Sequence, residues 1–599
     1  MGMKEADQLY KIRHSLAHIM AQAVLEHFPK AKMGFGPPVD NGFYYDFDFG
    51  DEKVSVEDFK KIEKSMYKII NQKQEFGIFY HNLDESLGML SDMGQPYKVE
   101  YAKELVETGQ AENGELSFYK NGPFVDMCEG PHIANTSEIP QKCWKLDRIS
   151  GSYWRGDEKR PMLTRIYGLA FETEEELKDY IKRRELAMQR DHRKLGQELE
   201  IFMIDDEVGT GLPLWLPNGA VIRSELEAWA KDVEFRAGYH HVATPSLSKS
   251  NLYYRSGHLP YYAESMFPPM VLDENTEYYL RPMNCPHHHK IYGFRPRSYR
   301  ELPYRLAEYG DMFRYEKHGS LSGLLRVRAM CLNDAHIYCE YDQLKQEFAA
   351  VMELYKYYYN YLRLGNFRVR LSLHDATSDK YVKDEEEWQF SENIVREILT
   401  ENGIDYIEEA GEAAFYGPKV DIQIKNLLGR EETVSTCQLD FVMAKRFDLW
   451  YSAKDGSMKQ PYILHRAPLS THERFISFLI EFWGGAFPTW MSPNQVVLIP
   501  VNEGVIDYAQ ELRGTMIEKG IRVDIDLSDD SFNKKIRKAV TKKNPNIWII
   551  GDNEKAERAI TWRRYAVQDQ IKMQADAAID KVMHLRANRV MDNFSDVEI

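Results

Sequence analysis

Apolar residues fall on three rhythms along this chain. Near the start, Ile12, Leu16, Ile19, Met20, Ala23 and Val24 recur at helical spacing, which predicts an amphipathic helix with one face turned inward. From there to residue 171 the pattern is strand-like and punctuated by Gly, Pro and Asn. GPPVDNGFYYDF (36–47) and NGPFVDMCEGPH (121–132) read as strand and loop, and 145–171 reads as strands with turns. A charged helical stretch, ETEEELKDYIKRRELAMQRDHRKLGQEL, follows and reads as a solvated linker helix over 172–198. Leu226, Trp229, Ala230 and Val233 mark a helix that ends at Gly238, before a short strand interrupted by Pro245. Apolar positions 344, 348, 351, 352, 355 and 362 mark another helix, and its tyrosines read as a face packed on a sheet rather than as RNA-stacking rings. Beyond the Pro-containing boundary at 487–495 the rhythm becomes alternating strands and helices: VVLIPV, DYAQELRGTMIEKG, IRVDIDL, FNKKIRKAVTKKN, NIWIIG. That predicts a compact α/β domain. The whole is a multidomain α+β chain, divided at 1–171, 172–198, 199–490 and 491–599.

Composition narrows the class. With 599 residues, 43% hydrophobic and 28% charged, the chain has the make-up of a multidomain soluble globular protein. It has no run of about 18 apolar residues and no apolar leader at the N-terminus, so a cytoplasmic location and no membrane partner are expected. Scattered cysteines at 128, 143, 285, 331, 339 and 437 show no disulfide framework and suit a reducing compartment. The net charge of −16 argues mildly against nucleic acid, but a local basic surface is enough to bind phosphates. Lys534, Lys535, Arg537, Lys538, Lys542 and Lys543 provide such a concentration on one helix.

Candidate chemistry sits in two places. His14 and His18 form H-x-x-x-H on one helix face, and Cys128 and His132 form C-x-x-x-H. Together they offer four ligands of zinc type. Cys285, His336 and the distant His465 offer three more, which leaves a tetrahedral zinc one ligand short, as catalytic or substrate-binding zinc requires. Arg314, Arg326 and Arg328 are spaced along the same segment and suit a polyanion such as ATP. This predicts a small ligand on zinc with a nucleotide beside it.

MNCP, FRYE, GLLRVR, DAHIYC, AAFYGPK, QLDF, and ILHRA with ERF occur in order and at fitting spacing. In these the chain resembles the threonyl-tRNA synthetases, which are class II aminoacyl-tRNA synthetases, over essentially its whole length. The resemblance implies an antiparallel-sheet catalytic core with helices, an N-terminal α+β editing domain and a C-terminal α/β anticodon-binding domain. It implies activation of L-threonine with ATP, transfer to tRNA(Thr), hydrolysis of mischarged seryl-tRNA(Thr), one Zn²⁺ per chain, Mg²⁺ with ATP, and a homodimer built on the segment 216–247. By resemblance Arg314 bridges the α-phosphate and the substrate carboxylate, and Arg474 holds the γ-phosphate. Glu316, Arg326 and Gln438 meet the nucleotide. Asp334, Tyr416 and Lys419 meet the amino acid. Asp126, Lys98 and Tyr45 join His14, His18, Cys128 and His132 in the editing pocket, where either a metal or an oriented water fits the residue set. Ser470-x-x-Glu473 reads as a capping box that places Arg474 in the first turn of a helix.

The chain also departs from the family pattern. The small ubiquitin-like N-terminal domain is expected to have no counterpart in this sequence, since the editing-like segment starts almost at Met1. Pro-Gly-His appears as Pro286-His287-His288, and within the 287–289 run only His288 matches the family's histidine. Met330 stands where an aromatic ring commonly stacks on adenine, Leu332 where a glutamine commonly meets the carboxylate, and the glycine before the serine of PLSTHERF is replaced. Two other readings make different demands on the sequence. A synthetase-like RNA-binding regulator would have lost Arg314, Arg474 or a zinc ligand, and none is lost. A zinc hydrolase acting through 1–171 leaves the Cys285/His336/His465 set and the C-terminal domain without a role.

Overall fold

The structure is a computed structural model that describes residues 7–111, 114–274, 276–365, 367–378, 380–565, 567 and 569–596. It has two compact units, one reaching Arg184 and the other beginning at Glu185.

In the first unit the apolar stripe of the N-terminal helix, Gln8–His27, buries Leu16, Ile19, Met20 and Val24 completely. They share a core with Phe43, Tyr45, Phe47 and Ile166 of an antiparallel sheet. Its strands run Lys32–Met33, Gly42–Asp48, Met162–Ala170, Trp144–Tyr153, with Pro38–Val39 paired to the second of these. A second helix, Phe59–Asn71, adds Ile62, Met66 and Ile69 to that core. A separate three-stranded antiparallel sheet of Phe76–Asn82, Glu115–Asn121 and Phe124–Met127 carries Asp126 on its last strand.

The second unit is organised on an eight-stranded sheet in the order His240–His241, Tyr304–Phe313, Ala329–Cys339, Tyr462–Ala467, Glu431–Asp440, Lys419–Lys425, Phe367–Leu373, Tyr406–Ala410. The two outermost pairings are parallel and the rest antiparallel. The helix Tyr341–Tyr361 packs on one face, where Phe348, Val351, Met352 and Tyr355 join Ile337, Leu439 and Leu464 in one core. Tyr355, Tyr358 and Tyr359 are fully buried; the hydroxyls of Tyr355 and Tyr359 meet Thr436 and Ser435 on the sheet, while Tyr358 packs on Trp229. The opposite face is polar, because residues paired across antiparallel strands share a side of the sheet. His336 pairs with His465, His465 with Gln438, and Gln438 with Lys419, so four candidate side chains form one row across four strands.

The C-terminal part is a five-stranded mixed sheet. Val523–Ile525, Val496–Pro500 and Asn546–Ile550 are parallel neighbours, followed by antiparallel Ala559–Arg564 and Gln570–Gln574. Helices Ile506–Glu518 and Phe532–Thr541 connect the parallel strands. Four of the basic residues at 534–543 already meet partners within the chain: Lys534 Nζ reaches Asp530 at 2.5 Å, Lys535 Nζ the Asp526 carbonyl at 3.2 Å, Lys542 Nζ Glu200 at 2.8 Å, and Lys543 Nζ the Tyr565 hydroxyl at 2.7 Å. No helix among the described residues is long and apolar enough to cross a membrane.

Candidate active site and a second polar pocket

Cys285 heads the helix Cys285–Tyr292, and its thiol lies 3.5 Å from His465 Nδ1. His336 is fully buried on the neighbouring strand, and its Nε2 has no hydrogen-bond partner. The ligand atoms of Cys285, His336 and His465 all lie within 4.8 Å of one another. Burial pushes the Cys285 thiol well up and the His336 imidazole well down. A cation displaces the thiol proton and uses the neutral imidazole lone pairs, so this donor set fits a soft-to-borderline metal ion such as zinc.

The ligands are held from behind. His465 Nε2 sits 2.9 Å from Asp440 Oδ2, and the same carboxylate accepts from the backbone N–H groups of Val442 and Met443 at 2.8 and 2.9 Å. His336 Nδ1 lies 2.8 Å from His288 Nδ1, and His288 Nε2 lies 3.1 Å from Glu308 Oε2. The 287–289 run is therefore buried and engaged throughout, with His287 on Ser248 at 2.7 Å and His289 on the Tyr338 hydroxyl at 2.9 Å. Asp440 escaped sequence reasoning, although its place two residues after Gln438 puts it on the same sheet face.

A cavity of about 400 Å³ opens in front of these groups. Asp334, Tyr416, Lys419 and Gln438 line it beside Cys285 and His465, with Met330, Leu332 and the arginines further along. Asp334 accepts from Asn284 Nδ2 at 3.1 Å. Burial pushes its carboxyl up, against the pull of His288 and His465. The Tyr416 ring stacks on His465 at 5.0 Å between centroids, and its hydroxyl donates to Gln438 Oε1 at 2.5 Å. Lys419 Nζ is 3.2 Å from Asp421. At the other end Arg326 pairs with Glu316 at 2.9 Å, and Arg314 Nε donates to the Pro282 carbonyl at 3.4 Å. Arg474 donates to the carbonyls of Leu325 at 3.2 Å and Thr433 at 3.4 Å, and burial lowers its pKa. Arg328 turns to the backbone instead, donating to the Glu316 and Thr210 carbonyls.

The helix carrying Arg474 is His472–Trp483, and its cap corrects the expected one. Thr471, not Ser470, accepts from the Arg474 N–H at 3.1 Å. Ser470 has φ +49°, whereas an N-cap needs extended backbone, and Glu473 reaches across to accept from the Cys331 N–H at 3.1 Å. Arg474 still falls in the first turn.

In the first unit all seven predicted side chains converge. The Cys128 sulfur lies 3.2 Å from His14 Nε2 and 3.4 Å from His132 Nε2. Together with His18, these four offer ligand atoms within 4.8 Å of one another. Tyr45 donates to Asp126 Oδ2 at 2.5 Å, Lys98 Nζ stands 2.7 Å from Asp126 Oδ1, and His18 Nε2 lies 3.6 Å from Oδ2. Burial lowers His14 to about 4 and His18 and His132 further, and raises Cys128 to about 12. The histidines are therefore neutral and the thiol protonated near pH 7. Cys128 and His132 are not helical; they meet through a turn at Gly130, where φ is +71° and a Cβ would lie 2.3 Å from the Tyr119 hydroxyl. Ser15, 3.0 Å from His132 Nδ1, is a further member that no sequence signal marked.

Three family models match the chain. Residues 265–482 match the tRNA synthetase class II core domain (G, H, P, S and T), 495–585 the anticodon binding domain, and 116–167 the threonyl and alanyl tRNA synthetase second additional domain. A threonine–tRNA ligase of Exiguobacterium sp. is 44% identical over 587 residues, covering 97% of this chain and 89% of that one. One of Geobacillus sp. is 46% identical over 568 residues, covering 94% and 87%. The chain belongs to the threonyl-tRNA synthetase family. This synthetase is also similar in structure to the RNA binding domain of threonyl-tRNA synthetase from Cryptosporidium parvum, with TM-score 0.63 and 33% identity over 68% of this chain and 100% of that one. A putative threonyl-tRNA synthetase from Aeropyrum pernix gives TM-score 0.59 at 28% identity over 68% and 96%. This synthetase is accordingly a threonine–tRNA ligase with a class II core, an anticodon-binding domain and the additional domain associated with editing. The regulator and free-standing hydrolase readings lose to that assignment.

Proposed function

We propose that the 400 Å³ cavity activates L-threonine with ATP and that the seven-residue pocket of the first unit hydrolyses seryl-tRNA(Thr). The observation that carries this is the metal-capable Cys285/His336/His465 cluster, whose Cys285 and His465 line the same cavity as Arg314 and Arg474. Cys285, His336 and His465 would hold zinc, which would supply a Lewis-acidic anchor for the polar groups of a small amino acid, and Mg²⁺ would accompany ATP. Asp334 accepts from the substrate hydroxyl, and Tyr416 and Lys419 bound the amino-acid end. Arg314 brings the carboxylate onto the α-phosphate. A carboxylate oxygen then bonds to the α-phosphorus as the bond to the leaving pyrophosphate breaks. Arg474 takes charge on the γ-phosphate, so catalysis is positioning and electrostatics. Glu316 accepts from the adenine amino group, with Arg326 and Gln438 on the nucleotide.

Valine offers no donor to Asp334 where threonine's hydroxyl would and is rejected strongly. Serine lacks only a methyl group, worth about 1–3 kcal/mol, so fidelity needs a second, hydrolytic site. There, neutral imidazoles beside the Asp126–Lys98–Tyr45 cluster suit the orientation of a water. We further propose the division 1–171 for editing, 172–198 as linker, 199–490 for activation and 491–599 for anticodon binding, in a cytoplasmic homodimer. The test is amino-acid-dependent ATP–pyrophosphate exchange across all twenty amino acids. Strong exchange with threonine, weaker with serine and negligible with valine is expected. Exchange with none of them would overturn the reading.

A further inference from the structure

His192 lies in the stretch that reads as a solvated linker in the sequence, yet it is only 2% exposed. It opens the short helix His192–Glu198, and both ring nitrogens are engaged. Nδ1 is 2.7 Å from Glu481 Oε1, and Nε2 accepts from the Leu324 backbone N–H at 3.1 Å. A backbone amide only donates, so Nε2 must carry the lone pair and Nδ1 the proton that Glu481 accepts. The backbone N–H of His192 donates to the same Glu481 oxygen at 3.3 Å. Asp191, His192 and Glu481 lie close enough to hold a metal, but hydrogen bonds already account for both ring nitrogens, and Asp191 is paired with Arg193.

The turn at residues 322–326 sits directly on this ring. Gly323 has φ +48°, and a Cβ there would lie 2.2 Å from His192 Nε2. Leu324 is fully buried, and the turn around it closes on itself through Ser322 N–H to Arg326 O at 3.1 Å and Arg326 N–H to Ser322 O at 3.2 Å. The next two residues face the cavity. The Leu325 carbonyl accepts from Arg474 Nε, and Arg326 pairs with Glu316.

We propose that His192 is a positioning residue for the nucleotide end of the active site. Fixed in one tautomer by Glu481, it holds the 322–326 turn so that Leu325 orients Arg474 and Arg326 faces Glu316. It also ties that turn to the helix His192–Glu198. The inference rests on the functional reading above, which makes this end the ATP site.

Three substitutions separate the two bonds. His192→Gln keeps an acceptor near the Nε2 position, His192→Asn keeps the donor to Glu481 but loses the acceptor, and His192→Ala loses both. In threonine-dependent ATP–pyrophosphate exchange, KM for ATP should rise about tenfold in the Asn and Ala variants, as expected for loss of one well-placed hydrogen bond, while His192→Gln stays near the parent. KM for threonine should stay within about twofold of the parent, because the amino-acid end keeps its own supports. Gly323→Ala should raise KM for ATP in the same way, with the histidine itself unsubstituted, because its Cβ would push the turn off the ring. An unchanged KM for ATP in the Ala and Gly323→Ala variants, or equal changes in both KM values that track a fall in Tm, would overturn the positioning role. Lack of threonine-dependent exchange in the parent enzyme would count instead against the functional reading.

Discussion

Cys285, His336 and His465 reach one point for separate local reasons: a helix start for the first, and paired positions on neighbouring strands for the others. Their residue types were legible in the sequence as a tetrahedral set one ligand short. Their supports were not, because Asp440, His288 and Glu308 act through contacts that spacing does not encode. Cys285→Ala is expected to lose both bound zinc and threonine-dependent exchange; full activation by a zinc-free variant would refute the metal role. Asp440→Asn should weaken zinc retention about 10–100-fold with little change in Tm, since it removes the acceptor that orients His465. Competition with a chelator measures this. Burial, with Arg314 adding to it, lowers His258 to about 3, and its Nε2 has no partner. The unfolded chain takes up this proton near pH 6.5 while the folded chain refuses it. The resulting contribution to stability is complete above about pH 6.5 and is lost as pH falls towards 3, at up to about 1.4 kcal/mol per pH unit. Urea unfolding at a series of pH values should show a flatter acid slope in His258→Asn; an identical slope would remove His258 from the account.

At the scale of elements, period and punctuation were the readable part. The apolar positions of the helix Tyr341–Tyr361 and the alternation after residue 495 both correspond to observed elements, because each buries a face whose repeat equals its own geometry. What escaped was pairing order. Nothing local shows that the strand holding His465 lies between those holding His336 and Gln438. The linker stretch was misread near its end for a related reason: charge along a helix does not reveal that His192 is buried. Elements are also joined by a buried ion pair. Arg466 Nη1 meets Glu234 Oε1 at 2.8 Å, both residues are fully or almost fully buried, and Asn333 Nδ2 donates to the same oxygen at 2.8 Å. Glu234→Ala would strand the arginine and should cost about 3–5 kcal/mol in the catalytic unit. Chemical denaturation measures this, and a loss below about 1 kcal/mol, as for an exposed pair, would contradict it.

For the whole molecule, the proposed reading gives the two units separate chemistries, which should then fail independently. His14→Ala with His18→Ala should leave threonine activation intact while seryl-tRNA(Thr) accumulates in charging assays. Unchanged deacylation in that double variant would sink the editing assignment. The combination of functions was legible because motifs from both units occur on one chain in order. Met330 and Leu332, two of the departures from the family pattern, line the cavity.

The row of His336, His465, Gln438 and Lys419 also bears on how such a chain diversifies. Each strand contributes one side chain to the row, and its neighbours in sequence point to the opposite face, where Ile337, Leu439 and Leu464 pack with the helix Tyr341–Tyr361. Exchanges there that conserve volume repack locally and leave the row in place. A single inserted residue within one of these strands would instead turn its member of the row to the wrong side. Over long divergence, then, the reverse face can accept many replacements, whereas the strand interiors can accept almost no change in length.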